Sequence, residues 1–335
     1  MLASIHVKPV RAAALVSGAL AAAGCGSSPT GPGPTPTPGF PVSGLVFYDE
    51  NLNGLLDPPE LVRLPGVTVG VGGRTAASAA GGRFTVADVP EGMQAAGLRA
   101  ESLPAYFTTG APVPVAVPQS GGELTLPASL PTGSNRPNVY LAFGDSITWG
   151  EGSSDGSGYL DELAAELRAY WGRGDLINDG VPGSKSLRGE QRMGTSIARY
   201  RPTYALILYG TNDWNDGECR NAPPCYTIDA LRSMILQARD AGTYPILGTI
   251  PPVNPAYQDR DADARNDWVR QMNEFVRAMA RQERVPIAEL HQDFLREPSL
   301  QALFQDFVHP NDGGYAIIAR AFFRAITQPV AASSR

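Results

Sequence analysis

From Val139 to Thr327 the chain alternates short apolar runs with helical stretches, and this alternation narrows its fold more than any other feature. The runs are 139–143, 175–178, 204–209, 244–250 and 285–290, and the helical stretches are about 158–170, 190–200, 229–241, 266–282 and 312–327. Parallel neighbours need a long crossover between them, usually a helix, so this spacing predicts an α/β fold: a parallel sheet with helices on both faces. Tyr159, Leu160, Leu163, Leu167 and Tyr170 recur at helical spacing and are read as core or interface positions, not as a cofactor box.

Gly144-Asp145-Ser146-Ile147 follows the first run directly and sets a serine at the end of a buried strand. Open α/β sheets present reactive groups at that end. Taken alone the tripeptide is also a plain turn, because short motifs match by accident. Three further blocks follow it in order: Asn178-Asp-Gly-Val-Pro-Gly183, Gly210-Thr-Asn212-Asp213 and Asp306-Phe-Val-His309-Pro310.

A serine hydroxyl becomes an effective nucleophile only when a base takes its proton, and histidine titrates in the useful range. The chain has His6, His291 and His309. His6 lies in a leader-like segment, and His291, just after Val285–Leu290, reads as structural or rim-exposed. His309 is therefore the candidate base. Asp306, three residues before it, either orients the imidazole or caps a turn.

With these blocks in this order the chain resembles the GDSL, or SGNH, esterase and lipase family over residues 137–328, with GDSI where the family name has GDSL. The resemblance implies a flavodoxin-like three-layer fold around a five-stranded parallel sheet. It also implies a serine ester hydrolase in which Ser146 attacks, His309 is the base and Asp306 orients it. The oxyanion donors would be the backbone N–H groups of Ser146 and Gly183 and the side-chain amide of Asn212, with no metal or organic cofactor in catalysis. The family spans lipases, lysophospholipases, arylesterases and polysaccharide deacetylases. No long apolar lid segment lies near the blocks, which favours short acyl or glycan acetyl esters. The alternatives are a lipase or lysophospholipase of the same family, and an inactive surface-binding or adhesion protein.

The N-terminus reads as an export leader over residues 1–24. Lys8 and Arg11 precede the apolar stretch Ala12–Ala23, which is too short for a spanning helix. Ala22-Ala23-Gly24-Cys25 resembles a bacterial lipobox with Cys25 as the lipidated residue, although leucine is commoner where Ala22 stands. Residues 25–39, rich in Pro, Gly and Thr, then form a tether. The expected location is the bacterial cell envelope, with the protein held to a membrane by its lipid. Cys219 and Cys225 remain as an even pair in an oxidising compartment and predict a disulfide stiffening a flap by the site. The formal charge of −6 becomes more negative by two once Lys8 and Arg11 leave, which argues against nucleic acid as a partner.

Residues 40–130 have a different grammar. Leu45–Tyr48, Val67–Val71, Arg83–Val86, Val113–Val117 and Glu123–Leu126 are short strand-like runs separated by Gly and Pro, which predicts a small β-sandwich. Ser43–Gly54 and Gly81–Val86 resemble carboxypeptidase-regulatory-like and adhesin B-type modules, for which a cell-surface or polysaccharide contact is the expected partner. Asp49, Asn51, Asn53, Asp57 and Glu60, with Gly54 at the sixth position, satisfy calcium-loop spacing. Pro58 and Pro59 oppose the helix that normally follows. The loop is therefore either a structural calcium site or a metal-free Asn/Gly turn. Residues 131–136 read as a linker and 329–335 as a tail.

Overall fold

The computed structural model describes residues 39–329. The leader through residue 24, the expected lipidation site Cys25, all of the tether except Gly39, and all of the tail except Pro329 lie outside the described residues.

The first region contains eight strands: β1 (Phe40–Asp49), β2 (Thr68–Val71), β3 (Arg74–Ala77), β4 (Arg83–Val89), β5 (Gly92–Leu98), β6 (Thr108–Thr109), β7 (Val113–Val117) and β8 (Leu124–Ser129). They form two four-stranded sheets, ordered β4-β1-β8-β6 and β3-β2-β5-β7. Both sheets send side chains into one apolar cluster, among them Val46, Val86 and Leu126 from the first and Val69, Ala96 and Val117 from the second. The five runs read from sequence are all strands. β3, β5 and β6 were not among them, because RTAA, GMQAAGL and TT carry too few large apolar residues to signal a strand.

The second region runs β9 (Arg136–Gly144), α1 (Ser146–Trp149), α2 (Leu160–Trp171), β10 (Asp175–Gly180), α3 (Ser186–Tyr200), β11 (Pro202–Leu208), α4 (Gly217–Asn221), α5 (Thr227–Asp240), β12 (Tyr244–Gly248), α6 (Ala262–Glu283), β13 (Ile287–Ala288), α7 (Leu290–Arg296) and α8 (Asp312–Thr327). The sheet order is β10-β9-β11-β12-β13, with every pairing parallel. Numbered within this region alone, that order is 2-1-3-4-5, the flavodoxin-like arrangement. β11 is buried along its whole length, as expected for a strand covered on both faces. α2 buries Leu160, Leu163, Ala164, Leu167 and Trp171 and ends on Gly172 in the left-handed region. The expected core position Tyr159 is fully buried, while Tyr170 is half-buried against the same cluster. The last strand is shorter than the run 285–290, because Leu290 already starts α7. Among the described residues no helix is long and apolar enough to cross a membrane.

The two regions share one apolar cluster, in which Tyr48, Leu103 and Phe107 meet Tyr140, Trp171 and Phe322. The ring of Phe107 lies 5.0 Å from Tyr48 and 6.3 Å from Trp171. Polar contacts fix the same junction. Asn138 donates to Glu50 at 2.6 Å, Tyr106 to the Pro245 carbonyl at 2.6 Å, and the Arg63 N–H to the Trp171 carbonyl at 2.9 Å. Asn138 and Pro245 sit at the N-terminal ends of β9 and β12, so the β-region covers the pole of the sheet where strands begin. Ser146 lies at the opposite pole, where they end.

The loop after β1 brings Asp49, Asn51, Asn53, Asp57 and Glu60 together through hydrogen bonds. Asp49 accepts from the Asn53 and Gly54 N–H groups, and Glu60 from those of Glu50 and Asp57. Asn51 and Asn53 each turn an amide N–H to Asp57 at 2.7 Å. Among the described residues no group of three or more His, Cys, Asp or Glu is placed to hold a metal.

Candidate active site

In a 2-1-3-4-5 sheet the strand order reverses between the first and third strands, and ligands bind in the crevice outside their carboxyl ends. Those strands are β9 and β11. Ser146 follows β9 as the first residue of α1, and Asn212 follows β11 by four residues. Asp145 caps the short helix by accepting the Ile147 N–H at 3.0 Å, which fixes the turn that raises Ser146.

His309 comes from the loop between α7 and α8, far away in sequence. Its Nε2 lies 2.9 Å from the Ser146 Oγ, and its Nδ1 lies 2.8 Å from Asp306 Oδ2. The other oxygen of Asp306 accepts the N–H groups of Val308 and His309, both at 2.8 Å. Burial alone would raise the Asp306 pKa, but the bonds from the His309 ring and these two N–H groups outweigh it and hold the carboxyl below its ordinary range. Asp306 thus both builds the turn and faces the imidazole.

Gly183 lies in the loop after β10 with φ +70°, a left-handed conformation that favours glycine. Among the described residues neither its N–H nor that of Ser146 has an acceptor within hydrogen-bond distance. The Asn212 amide donates to Asp145 Oδ2 and to the Ser184 carbonyl, each at 3.2 Å. These two long bonds hold the amide between the ends of the first and second blocks. An oxyanion forming there would compete for one of its protons.

Two arginines by the site, Arg192 and Arg265, carried no local signal in the sequence, and Asp213 stood in the third block without a role of its own. Arg192 of α3 reaches three block ends at once. It donates to the Gly144 carbonyl at 3.1 Å, pairs with the Asp179 carboxylate at 2.8 Å and donates to the Tyr209 hydroxyl at 2.9 Å, with its guanidinium over the Phe143 ring. Asp213 is fully buried, accepting from the Ser186 N–H and the Thr227 hydroxyl, and burial raises its pKa. Arg265 of α6 is buried with its Nη2 on the Thr211 carbonyl, and burial lowers its pKa to about 10. Only their contacts across the fold reveal these roles.

His291 is buried in α7, its backbone N–H on the Thr249 hydroxyl. Burial, with Arg277 nearby, lowers its pKa to about 4, so it is neutral near pH 7. Of the two readings open in the sequence, structural and rim-exposed, its burial leaves the structural one. Cys219 and Cys225 form a disulfide. The bridge closes the segment after Asp213–Asn215, and the Trp268 indole donates to the Cys219 carbonyl at 2.8 Å, tying that segment to α6.

Asp145 is the most perturbed carboxyl beside the nucleophile. Burial raises its pKa to about 7, the Asp213 charge adds to the rise, and the Ile147 N–H and His309 oppose it. In the unfolded chain the group loses its proton near its ordinary value of 3.8. Between those two values the folded state holds a proton that the unfolded state has released, so stability falls as pH rises through the window. Asp145→Asn removes this titration. Its stability relative to the wild type should improve between about pH 4.5 and 7.5, at about 1.4 kcal/mol per unit of the shift. Denaturant melts at the two pH values check this, and a variant difference independent of pH would refute it.

A family model for GDSL-like Lipase/Acylhydrolase proteins matches residues 142–317. An acetylxylan esterase of Geobacillus stearothermophilus is 27% identical over 207 residues, spanning 56% of this chain and 92% of that protein. Among solved structures, a lipase/acylhydrolase from Enterococcus faecalis aligns with a TM-score of 0.49 at 21% identity, over 58% of this chain and 100% of that one. An acetylxylan esterase structure from Geobacillus stearothermophilus aligns with a TM-score of 0.47 at 24% identity, over 57% of this chain and 95% of that one. Since the matched span runs from the strand that carries Ser146 into the helix behind His309 and covers more than half of the sequence, the chain belongs to the GDSL-like lipase/acylhydrolase family.

Proposed function

We propose that this carboxylic ester hydrolase cleaves short acyl esters, with acetyl groups on glycans as the favoured class, through an acyl-enzyme on Ser146. The observation that carries the mechanism is the continuous chain from Ser146 Oγ to His309 Nε2 at 2.9 Å and from His309 Nδ1 to Asp306 at 2.8 Å. In the first half-reaction His309 takes the Ser146 proton as Oγ attacks the ester carbonyl. The imidazolium then returns that proton to the departing alcohol. In the second half-reaction water attacks the acyl-serine with His309 again as base, the bond from the acyl carbon to Oγ breaks, the imidazolium returns the proton to Ser146 Oγ, and the acid leaves.

The carbonyl oxygen gains negative charge in both steps, and the Ser146 and Gly183 N–H groups and the Asn212 amide are the proposed donors. Asn212→Ala should therefore lower kcat about 10²- to 10³-fold with little change in KM, as expected for a donor that acts mainly in the transition state. A change in KM alone would make Asn212 a residue of ground-state binding.

The acetylxylan esterase relative supports the acetyl-glycan preference. A panel of p-nitrophenyl esters from acetyl to long-chain acyl, with acetylated xylan and acetylated peptidoglycan, tests it. Preference for long chains would move the assignment to the lipase and lysophospholipase alternative. Failure to label Ser146 with an active-serine phosphonate would favour an inactive surface-binding protein.

The chemistry proposed for Ser146 needs no metal. Chelation with EDTA should leave kcat unchanged, whereas calcium held by Asp49, Asn51, Asn53, Asp57 and Glu60 would raise Tm on addition. Export and anchoring through a lipidated Cys25 are likewise proposed. Partition of the mature protein into detergent, abolished by Cys25→Ser, tests the anchor. A surface or polysaccharide contact through the β-region is tested by binding of a Ser146→Ala protein to insoluble glycan.

A further inference from the structure

We propose that Glu151 selects the alcohol half of the ester, favouring neutral, hydroxyl-rich alcohols and disfavouring anionic ones. The inference rests on the hydrolase reading above and names the part of the substrate that this carboxylate faces.

Glu151 Oε2 lies 3.5 Å from His309 Nε2, the same atom that lies 2.9 Å from the Ser146 Oγ, and its side chain is half-exposed. The backbone that puts it there is closely determined on both sides. Its N–H donates to the Ser146 carbonyl at 3.0 Å, and its carbonyl accepts the Tyr315 hydroxyl at 2.6 Å. Gly150 and Gly152 flank it in left-handed conformations, with φ of +103° and +98°. A Cβ on Gly150 would stand 2.5 Å from the Gly156 carbonyl oxygen, and one on Gly152 would stand 2.6 Å from the Pro310 carbonyl oxygen and 3.0 Å from the His309 Cβ. At Gly152 the Gly-Glu-Gly segment is thus packed against the loop that carries His309, with a carboxylate as its only side chain.

The position has a chemical consequence. When the tetrahedral intermediate collapses, the carbon–oxygen bond to the alcohol breaks and the proton on His309 Nε2 passes to that oxygen, leaving acyl-Ser146. The departing oxygen must then be within hydrogen-bond reach of Nε2, which puts it no more than about 6.5 Å from the Glu151 carboxylate. A hydroxyl neighbouring the esterified oxygen, as on a sugar ring, can donate to the carboxylate. A phosphate or carboxylate at the same place would be repelled by it. Glu151 is thus a specificity residue acting on the leaving group, and it separates the acetyl-glycan reading from the lysophospholipid one.

The test measures kcat/KM of the full exported protein on phenyl acetate, 3-acetoxybenzoate and a monoacetylated xyloside, with phenyl acetate as the internal reference. General damage to His309 affects all three esters and cancels in the ratios. Glu151→Gln removes the charge but keeps an acceptor, and should raise 3-acetoxybenzoate relative to phenyl acetate about three- to tenfold. That gain should shrink in high salt, as expected for an exposed charge effect. Glu151→Ala also removes the acceptor and should lower the xyloside relative to phenyl acetate about three- to tenfold. If the wild type cleaves phenyl acetate but both variants keep its ratios, the role of Glu151 is overturned and the hydrolase reading stands. If the wild type cleaves none of the three esters, both are overturned.

Discussion

Ser146→Ala and His309→Gln should each lower kcat on a short-chain ester by about 10⁶-fold, and the double variant should lose little more than either single one. The reason is the shared proton. In the proposed mechanism Ser146 Oγ attacks only as its proton moves to the His309 Nε2 at 2.9 Å, so removing either atom removes the same step. Residual turnover would then come from binding and the oxyanion donors alone. Folding should be spared in both, because Ser146 sits at the start of a four-residue helix and the turn around His309 is held by Asp306 through backbone N–H groups. Additive losses, or near-normal turnover in a well-folded Ser146→Ala protein, would refute the mechanism.

The four blocks were legible in the sequence because each is a local device. A glycine–acid–serine turn after an apolar strand, or an aspartate three residues before a histidine, carries its geometry within one turn of chain. Their meeting is a property of the sheet order, which alternating strand and helix patterns constrain but do not determine without the family resemblance. Arg192 shows where such reading ends. It sits three residues after the buried Gly189 on the inner side of α3, and nothing near it in sequence announces contacts with Gly144, Asp179 and Tyr209. Glu151 is similar, since its importance comes from a histidine more than 150 residues away in the chain.

The β-region divides in the same manner. Runs rich in valine and phenylalanine were found, while the glycine- and alanine-rich β5 was not, although it pairs with both β2 and β7 at the centre of its sheet. Its strand character comes from its neighbours. The docking of this region on the N-terminal pole could not be read at all, because Asn138 meets Glu50 and Tyr106 meets Pro245 only in three dimensions. That docking leaves the pole that carries Ser146 to the loops of the α/β region.

Asp306→Asn should lower kcat by about 10⁴-fold while leaving the fold intact. The substitution is nearly isosteric, and its retained oxygen can still accept the Val308 and His309 N–H groups that shape the turn. What changes is the atom facing the ring. In the wild type a carboxylate oxygen lies 2.8 Å from His309 Nδ1 and accepts its proton, which leaves Nε2 free to take the proton of Ser146. An amide NH₂ in the same place donates instead, so it favours the tautomer with Nδ1 bare and the proton on Nε2. That imidazole cannot act as a base toward Ser146, and the imidazolium that must form during attack has lost its neighbouring charge. Asp306→Ala should also lose the turn contacts, so a Tm lowered in the alanine variant but held in the asparagine variant would separate orientation from folding. Wild-type turnover in Asp306→Asn would show that the carboxylate serves the turn alone, and His309 would then need no orienting partner.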